Sequence, residues 1–482
     1  MNLQDIKNKK IVVMGLGLNQ GGLGTAKWLL RHGASLVVTD LKDRRLLAAS
    51  IAALDKYRTS LIKKTGRRNV GHITYVLGRH RESDFRSADM VIQNPGVPRE
   101  SRYLKVARAA GVPIESDISI FFRLVPQLVI GVSGTKGKTT TVAMLGAMLR
   151  ADYGRAIVAG NIRKSPLDEL DALMGSTAIV PIALELSSWQ LESLAVCERS
   201  PQISVLTNVL PDHLNRYRGM KDYAAAKELI YAWQFPDDVA IVPFDNPYTR
   251  AMGERVVGER YWASLKPVAD GQNGLYYRRA DAVIRKNGEE TRLFKKDDVR
   301  IPGEHNLWNA LLAAGTAYLR GVKPAIIRRA LRGFKGVEHR MEFIREWRGV
   351  KFWNDSAATT PEASVAAMKT FADRKRKNTV LVAGGADKEL VFGEWARVAK
   401  KLAKSIILLD GSATPKMLTA LKKVGIKNLP IVRDMKTAVG LAVQMARRGD
   451  HVLLSPGCAS FGIFVNEFDR GDQFRLAVKK QK

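Results

Sequence analysis

Two cysteines, Cys197 and Cys458, are all that the 482 residues contain, and they form no C-x-x-C pair. A disulfide framework and a cysteine zinc site are therefore unsupported, and a reducing compartment fits. No uncharged apolar run approaches the ~20 residues needed to cross a bilayer. The opening MNLQDIKNKK passes straight into a strand-like segment with no signal-peptide core. We expect a cytoplasmic protein without membrane insertion. Acidic residues are scarce: 47 Asp and Glu face 78 Lys and Arg, a net charge of +31. The excess is spread along the chain and forms no basic tail. It suits anionic partners (nucleic acid, a membrane surface, or phosphorylated and carboxylated small molecules) and equally describes a solvated basic surface. Hydrophobic residues at 46% and charged residues at 26% exclude a disordered or fibrous chain. At roughly 150 residues per domain, the length suits about three domains.

Apolar strand-like runs alternate with helical patterns almost throughout, which predicts an α/β protein with largely parallel sheets. The first block reads strand Ile11–Met14, a Gly-rich turn, a helix near Thr25–His32, strand Leu36–Thr39 and Asp40. Strand Met90–Gln93 precedes the turn Asn94-Pro95-Gly96. Residues Ile114–Leu128 read as a linker. A second block opens at Leu128–Val132 and continues through apolar strands at Ala178–Leu184 and Ile203–Thr207. Between Gly271 and Val299 short alternating runs surround Asn287-Gly288, a hairpin signal. Helices follow at Asn306–Arg320 and Pro324–Gly333. A third block, from Gly336, carries strands Thr379–Ala383, Ser405–Leu409, Leu429–Val432 and His451–Ser455.

The sharpest chemical signal is Gly134-Thr135-Lys136-Gly137-Lys138-Thr139-Thr140, between the strand ending at Val132 and the helix Val142–Arg150. Glycines let backbone N–H groups reach phosphate oxygens, and the helix N-terminus favours an anion. Lys138 would neutralise β/γ-phosphate charge, and the Thr139 hydroxyl would reach Mg²⁺. The spacing is the short G-x-x-G-K-T form. An earlier cluster, Gly15-Leu16-Gly17-Leu18-Asn19-Gln20-Gly21-Gly22, breaks the dinucleotide pattern G-x-G-x-x-G at Gln20. With Asp40 closing the next strand it fits a nucleotide of another kind, a nicotinamide or flavin, or tight packing alone. Glu185, in E-L-S-S-W-Q-L-E, and Asp212-His213 end or follow strands, where α/β ligands bind. One carboxylate plus phosphates suffices for Mg²⁺. Asn306 and Asn309 sit one helical turn apart, placed either to hold a purine edge or to cap and pack a helix.

Taken in order, G-T-K-G-K-T-T, E-L-S-S-W-Q-L-E, T-N-V-L-P-D-H-L-N-R-Y, G-E-H-N-L-W-N-A, H-R-M-E-F, N-D-S-A-A-T-T and L-L-S-P-G-C-A-S resemble the Mur ligases over essentially the whole chain. The resemblance implies three domains: a Rossmann-like domain at 1–116 for a UDP sugar, a central ATPase domain at 117–335, and a Rossmann-like domain at 336–482. It also implies a monomer joining glutamate, expected as the D enantiomer, to UDP-N-acetylmuramoyl-L-alanine with ATP and two Mg²⁺. Leu18, Asn19, Asp40, Leu41, Lys42, Asn94, Pro95, Gly96 and Asn161 would line the UDP substrate. The loop Gly134–Thr140 would hold ATP phosphates, with Asn306, Asn309, Arg340 and Asp355 about adenine, phosphate and ribose. Thr139, Glu185, His213 and a carbamylated Lys227 would bind metal. Thr359, Lys388, Ser460 and Phe461 would hold glutamate. Read from composition alone, Lys227 in Y-A-A-A-K is a solvated helix lysine.

Three departures stand out. Ala357 replaces the lysine of the family's N-D-S-K-A-T, Arg163 replaces the glycine of G-N-I-G, and Gly462–Val465 replaces a more polar stretch. Rival readings are a relative that adds L-glutamate, a folylpolyglutamate synthetase-like ligase, and a basic ATPase stimulated by nucleic acid. The nucleotide-type N-terminal block argues against the second, whose resemblance begins at the ATPase block.

Overall fold

The computed structural model describes residues 1–481 other than 18–20, 163, 213–215, 374, 375 and 461, and omits the Arg68 side chain. Contacts divide the chain into two compact units: Met1–Val299 with His305–Arg332, and Gly333–Lys482 with Arg300–Glu304.

The first unit holds two sheets. Strands β1 (Lys10–Met14), β2 (Ser35–Asp40), β3 (Ile73–Leu77), β4 (Met90–Gln93) and β5 (Ile114–Glu115) form a wholly parallel sheet in the order β3-β2-β1-β4-β5. Successive side chains point to opposite faces. Ile11, Val13, Leu36 and Val38 accordingly enter one core, and Val12, Met14, Val37 and Val76 the other. Burial on both faces explains why these strands read as continuous apolar runs.

The second sheet has nine strands: β6 (Val129–Ser133), β7 (Ile157–Gly160), β8 (Ile182–Glu185), β9 (Ile203–Leu206), β10 (Val239–Pro243), β11 (Glu259–Ala263), β12 (Gly274–Arg278), β13 (Asp281–Lys286) and β14 (Glu289–Lys295). Their order is β14-β13-β12-β11-β10-β9-β6-β8-β7, parallel except for the antiparallel β12–β13–β14 edge. Asn287 and Gly288 turn that edge with φ of 51° and 87°, the left-handed pair a two-residue hairpin needs.

The predicted linker at 114–128 is instead β5 followed by a helix, Asp117–Leu124, opened by a Ser116/Ser119 capping box. Ile118, Ile120, Phe121 and Phe122 are all buried in the main core. With only eight residues, little more than two turns, the helix is too short for its period to stand out from sequence.

The second unit carries β15 (Glu342–Trp347), β16 (Val350–Asn354), β17 (Thr379–Gly384), β18 (Ala403–Leu409), β19 (Ile431–Val432) and β20 (His451–Leu454) in the order β15-β16-β20-β17-β18-β19. Only β15 runs antiparallel. The α/β architecture with mostly parallel sheets is thus as predicted. Among the described residues, no helix is long and apolar enough to cross a membrane. Strand order reverses beside β1, β6 and β20, and open α/β sheets bind ligands at the carboxyl ends of strands there.

Candidate active site

The loop after β6 is tied to the loop after β9 by a dense set of hydrogen bonds. Thr135 N donates to Asn208 O at 3.0 Å, and Lys136 N to Asn208 Oδ1 at 2.9 Å. In return Thr207 Oγ1 and Asn208 Nδ2 donate to Lys136 O at 2.5 and 3.0 Å. Gly134 and Gly137 adopt φ of 142° and 89°. A Cβ on Gly134 would enter Thr207 Oγ1, and one on Gly137 would enter Asn309 Oδ1. Only glycine meets both demands. Helix Lys138–Tyr153 then starts without a side-chain cap, leaving its first N–H groups for an anion. Lys138 folds back on the loop, donating to Gly134 O at 2.9 Å and Thr135 O at 3.0 Å.

Helix Glu304–Leu319 reaches the same loop. Trp308 Nε1 donates to Thr207 O at 2.8 Å, and Thr141 Oγ1 to Asn309 Oδ1 at 3.4 Å. Asn306 and Asn309 are both buried, and they bond to each other at 3.3 Å. They lie inside the helix, so the capping alternative falls.

Lys227 is where composition misled most. On helix Met220–Glu228 it is only 1% exposed, with its amine 4.8 Å from the centre of the Tyr223 ring. Tyr223 OH lies 3.2 Å from Thr135 Oγ1, so the helix docks directly on the phosphate loop. Burial, then the Lys138 charge, holds the Lys227 amine well below the usual lysine range, while Asp212 and Glu185 oppose the shift. Glu185, at the end of β8, is buried and accepts from Asn161 Nδ2 at 2.8 Å, while its Oε2 has no partner. Lys136 Nζ pairs with Asp212 at 3.1 Å. His213 lies outside the described residues.

Among the described residues, no three His, Cys, Asp or Glu side chains gather as a closed metal cage. One orphaned carboxylate oxygen near hydroxyls and a phosphate loop is a fit for Mg²⁺, which retains water and phosphate ligands.

At the first sheet, Asn94 Nδ2 donates to Gly15 O across the β1/β4 reversal, and its buried Oδ1 has no partner. Asp40 accepts from Gly17 N at 3.1 Å and Lys42 N at 2.9 Å. Leu41 beside it is 68% exposed, an apolar surface open to a flat ring. Pro95 and Gly96 continue the turn after Asn94. Leu18, Asn19 and Arg163 lie outside the described residues.

In the second unit Thr359, Lys388 and Ser460 occupy the loops after β16, β17 and β20, three neighbours in the sheet. Ala386 N donates to Ala459 O at 2.8 Å, joining two of those loops. Ser460 is buried and its Oγ has no partner. Phe461 lies outside the described residues. Asp355 is buried, accepting from Ser455 Oγ at 2.9 Å and Met341 N at 3.2 Å. Burial pushes its carboxyl up to about 7, partly opposed by Arg340 and Arg470. Arg340 is exposed, between His339 and Met341 at φ of 61° and 48°.

Sequence reading missed Tyr223 and Arg470. Arg470 is fully buried, bonding Ser356 O at 2.8 Å and Ser356 Oγ at 3.0 Å, and Cys458 O and Ala459 O at 3.2 Å each. It staples the loop after β16 to the loop after β20. No local pattern marks it.

Three family models match in sequence order: the Mur ligase MurD-like N-terminal domain at 9–116, the Mur ligase middle domain at 132–317, and the Mur ligase glutamate ligase domain at 339–458. A Roseiflexus sp. (strain RS-1) protein named UDP-N-acetylmuramoylalanine–D-glutamate ligase is 43% identical, over 98% of this chain and 99% of its own. The chain belongs to the Mur ligase family. A like-named Borreliella afzelii (strain PKo) protein is 37% identical over 99% of both chains. Among solved structures, the Mur ligase fold recurs in Thermotoga maritima UDP-N-acetylmuramate–alanine ligase, with TM-score 0.60 and 21% identity over 98% of this chain and all of that one. T. maritima MurF ligase, solved with ADP, gives a TM-score of 0.58 at 16% identity over the full length of both chains.

Proposed function

We propose that this Mur ligase joins D-glutamate to UDP-N-acetylmuramoyl-L-alanine, consuming ATP, in peptidoglycan precursor synthesis. The reaction class rests above all on one observation, the buried Lys227 amine docked through Tyr223 on the phosphate loop beside Glu185. The substrates follow the names of relatives 43% and 37% identical end to end.

In this reading residues 1–116 bind the UDP sugar, 117–335 bind ATP and 336–482 bind glutamate. Leu18, Asn19, Asp40, Leu41, Lys42, Asn94, Pro95 and Gly96 hold uridine diphosphate, and Asn161 faces the muramoyl end. Gly134, Thr135, Lys136, Gly137, Lys138, Thr139 and Thr140 cradle phosphates. Asn306, Asn309, Arg340 and Asp355 hold the rest of ATP. Thr359, Lys388, Ser460 and Phe461 receive glutamate. The alanyl carboxylate attacks the γ-phosphorus, the bond to ADP breaks, and an acyl phosphate forms. Glutamate's amine then attacks the acyl carbon, loses a proton and expels phosphate. Carboxylate and triphosphate repel one another, so Lys138 and Arg340 must neutralise charge as they meet.

Two Mg²⁺ ions, held by Thr139 and Glu185 and by His213 with a Lys227 carbamate, would supply further positive charge there. The depressed Lys227 amine suits carbamylation. Its neutral form attacks CO₂, a C–N bond forms, a proton leaves, and a buried neutral amine becomes an anionic carbamate. The protein acts as a cytoplasmic monomer on small molecules, without nucleic acid.

Phosphate release tests the proposal. Turnover should require ATP, UDP-N-acetylmuramoyl-L-alanine and glutamate together, with D-glutamate at least about tenfold faster than L, because a misplaced carboxylate leaves a buried partner unpaired. Faster turnover with L-glutamate would overturn the enantiomer alone. Stimulation by DNA or RNA in place of the sugar substrate would overturn the ligase.

A further inference from the structure

In the second unit, beside the loop that carries Lys388, helices Gly393–Leu402 and Thr414–Lys423 pack side by side and border a groove of about 610 Å³. Half-buried Leu390, Ala420 and Val424 line it, and Val391 stands at its mouth 81% exposed. Arg397, Lys416 and Lys423 are its charged lining residues. Lys416 is paired with Asp387 at 2.5 Å. Among the described residues, Arg397 and Lys423 in the lining, with Lys400 and Lys401 further along the first helix, form no ion pair, so uncompensated cations border an apolar trough.

We infer that this groove docks an acidic amphipathic segment of another protein. Each flanking helix has ten residues and so is about 15 Å long, matching roughly three turns of a partner helix. Apolar side chains at i, i+3 or i+4 and i+7 would enter the trough, and Asp or Glu on either side would meet the cations. The concavity selects this occupant over an anionic membrane. A flat headgroup layer would satisfy the rim charges yet leave Leu390, Ala420 and Val424 uncovered. The inference rests on shape and charge and is independent of the reaction assigned above.

The probe is a fluorescent synthetic 16-residue helix with Leu at those positions and Glu at most others, titrated with the full chain at about 0.15 M salt, where long-range attraction is screened. Saturable anisotropy is expected. Arg397→Glu with Lys423→Glu should weaken it about tenfold or more, and Val391→Asp several-fold. Lys436→Glu with Lys479→Glu, on helices packed against the opposite face of the sheet, should change it less than twofold. All are surface changes, and unaltered thermal midpoints confirm folding. A peptide with Gln for Leu at the same charge should not saturate. Equal losses from both charge pairs, no saturation, or retained binding of the Gln peptide would each overturn the proposal. So would cosedimentation with phosphatidylglycerol vesicles that depends on Arg397 and Lys423 while the peptide fails to bind.

Discussion

Replacing Asp355 with Asn should make the second unit more stable, and by an amount that grows with pH. Asp355 is buried, and burial raises its carboxyl to about 7 from an ordinary 3.8. The sign follows directly. An acid whose folded pKa is raised favours folding when protonated, so its charged form erodes stability as pH climbs from 3.8 towards 7. At about 1.4 kcal/mol per pH unit, the penalty is under 2 kcal/mol at pH 5 and approaches about 4 kcal/mol by pH 8. Asn keeps the shape. Its Oδ1 accepts from Met341 N, and its Nδ2 donates to the Ser455 hydroxyl that formerly donated to the carboxylate. The gap between Asp355→Asn and the natural chain should therefore widen by about 2 to 3 kcal/mol from pH 5 to pH 8.

Hydrogen exchange of peptides covering β16 and β20 in the ligand-free chain, corrected for intrinsic rates, reads opening free energies local to this unit. If the two proteins keep parallel pH profiles, within about 0.5 kcal/mol, then Arg340 and Arg470 already neutralise Asp355 and the burial argument fails.

Lys138→Ala should cut turnover on the order of 10³-fold or more while the thermal midpoint holds, because its amine serves the phosphate loop rather than a core; steady-state kinetics and calorimetry decide. Lys227→Met should abolish nearly all turnover yet leave stability equal or up to ~2 kcal/mol higher, since it removes a buried amine. In Lys227→Ala, high concentrations of a short-chain carboxylic acid should restore some phosphate release, and a fully active Ala variant would return Lys227 to the solvated reading. Gly137→Ala should cost ~1–3 kcal/mol through its left-handed φ and its collision with Asn309, with weaker ATP binding by calorimetry.

The strand–turn–helix at Gly134–Thr140 was legible because its information is local: glycine spacing between a strand and a helix. The same holds for the hairpin at Asn287-Gly288 and for the doubly buried strands. Lys227 was not, from composition alone. M-K-D-Y-A-A-A-K-E reads as a solvated helix, and its burial comes from Tyr223 docking on Thr135, 88 positions away in sequence. Only the order of motifs pointed to it. Asn306 and Asn309 stayed ambiguous until the helix was seen to start at Glu304, with Asn309 against Gly137. Arg470 gave no signal, because its acceptors, on Ser356, Cys458 and Ala459, are brought in from two loops distant in sequence. The segment at 114–128 was misread because its helix has only eight residues, too few turns to announce a period.

Buried polar atoms without hydrogen-bond partners occur across the described residues, at Tyr231, Gln234, Trp262, Arg320 and Asp450 among others, and four of them lie at the proposed sites. Asn94 Oδ1, Ser133 Oγ, Glu185 Oε2 and Ser460 Oγ are buried without partners, and each follows or closes a strand at its carboxyl end. Asp355, directly after β16, adds a buried ionisable group at such a place, and Lys227 adds one on a helix docked against the loop after β6. An unmet buried polar atom costs about 1–3 kcal/mol, so at a binding site each is a group that a ligand can complete. Their distribution follows sheet topology: β4 for the first, β6 and β8 for the next two, and the loop after β20 for the last. A sequence selected for stability alone would have filled these positions with apolar side chains, as it did in the strand interiors a few residues earlier. These four atoms at the carboxyl edges fall on or beside the same loops that the motifs mark, where a bound ligand would complete them.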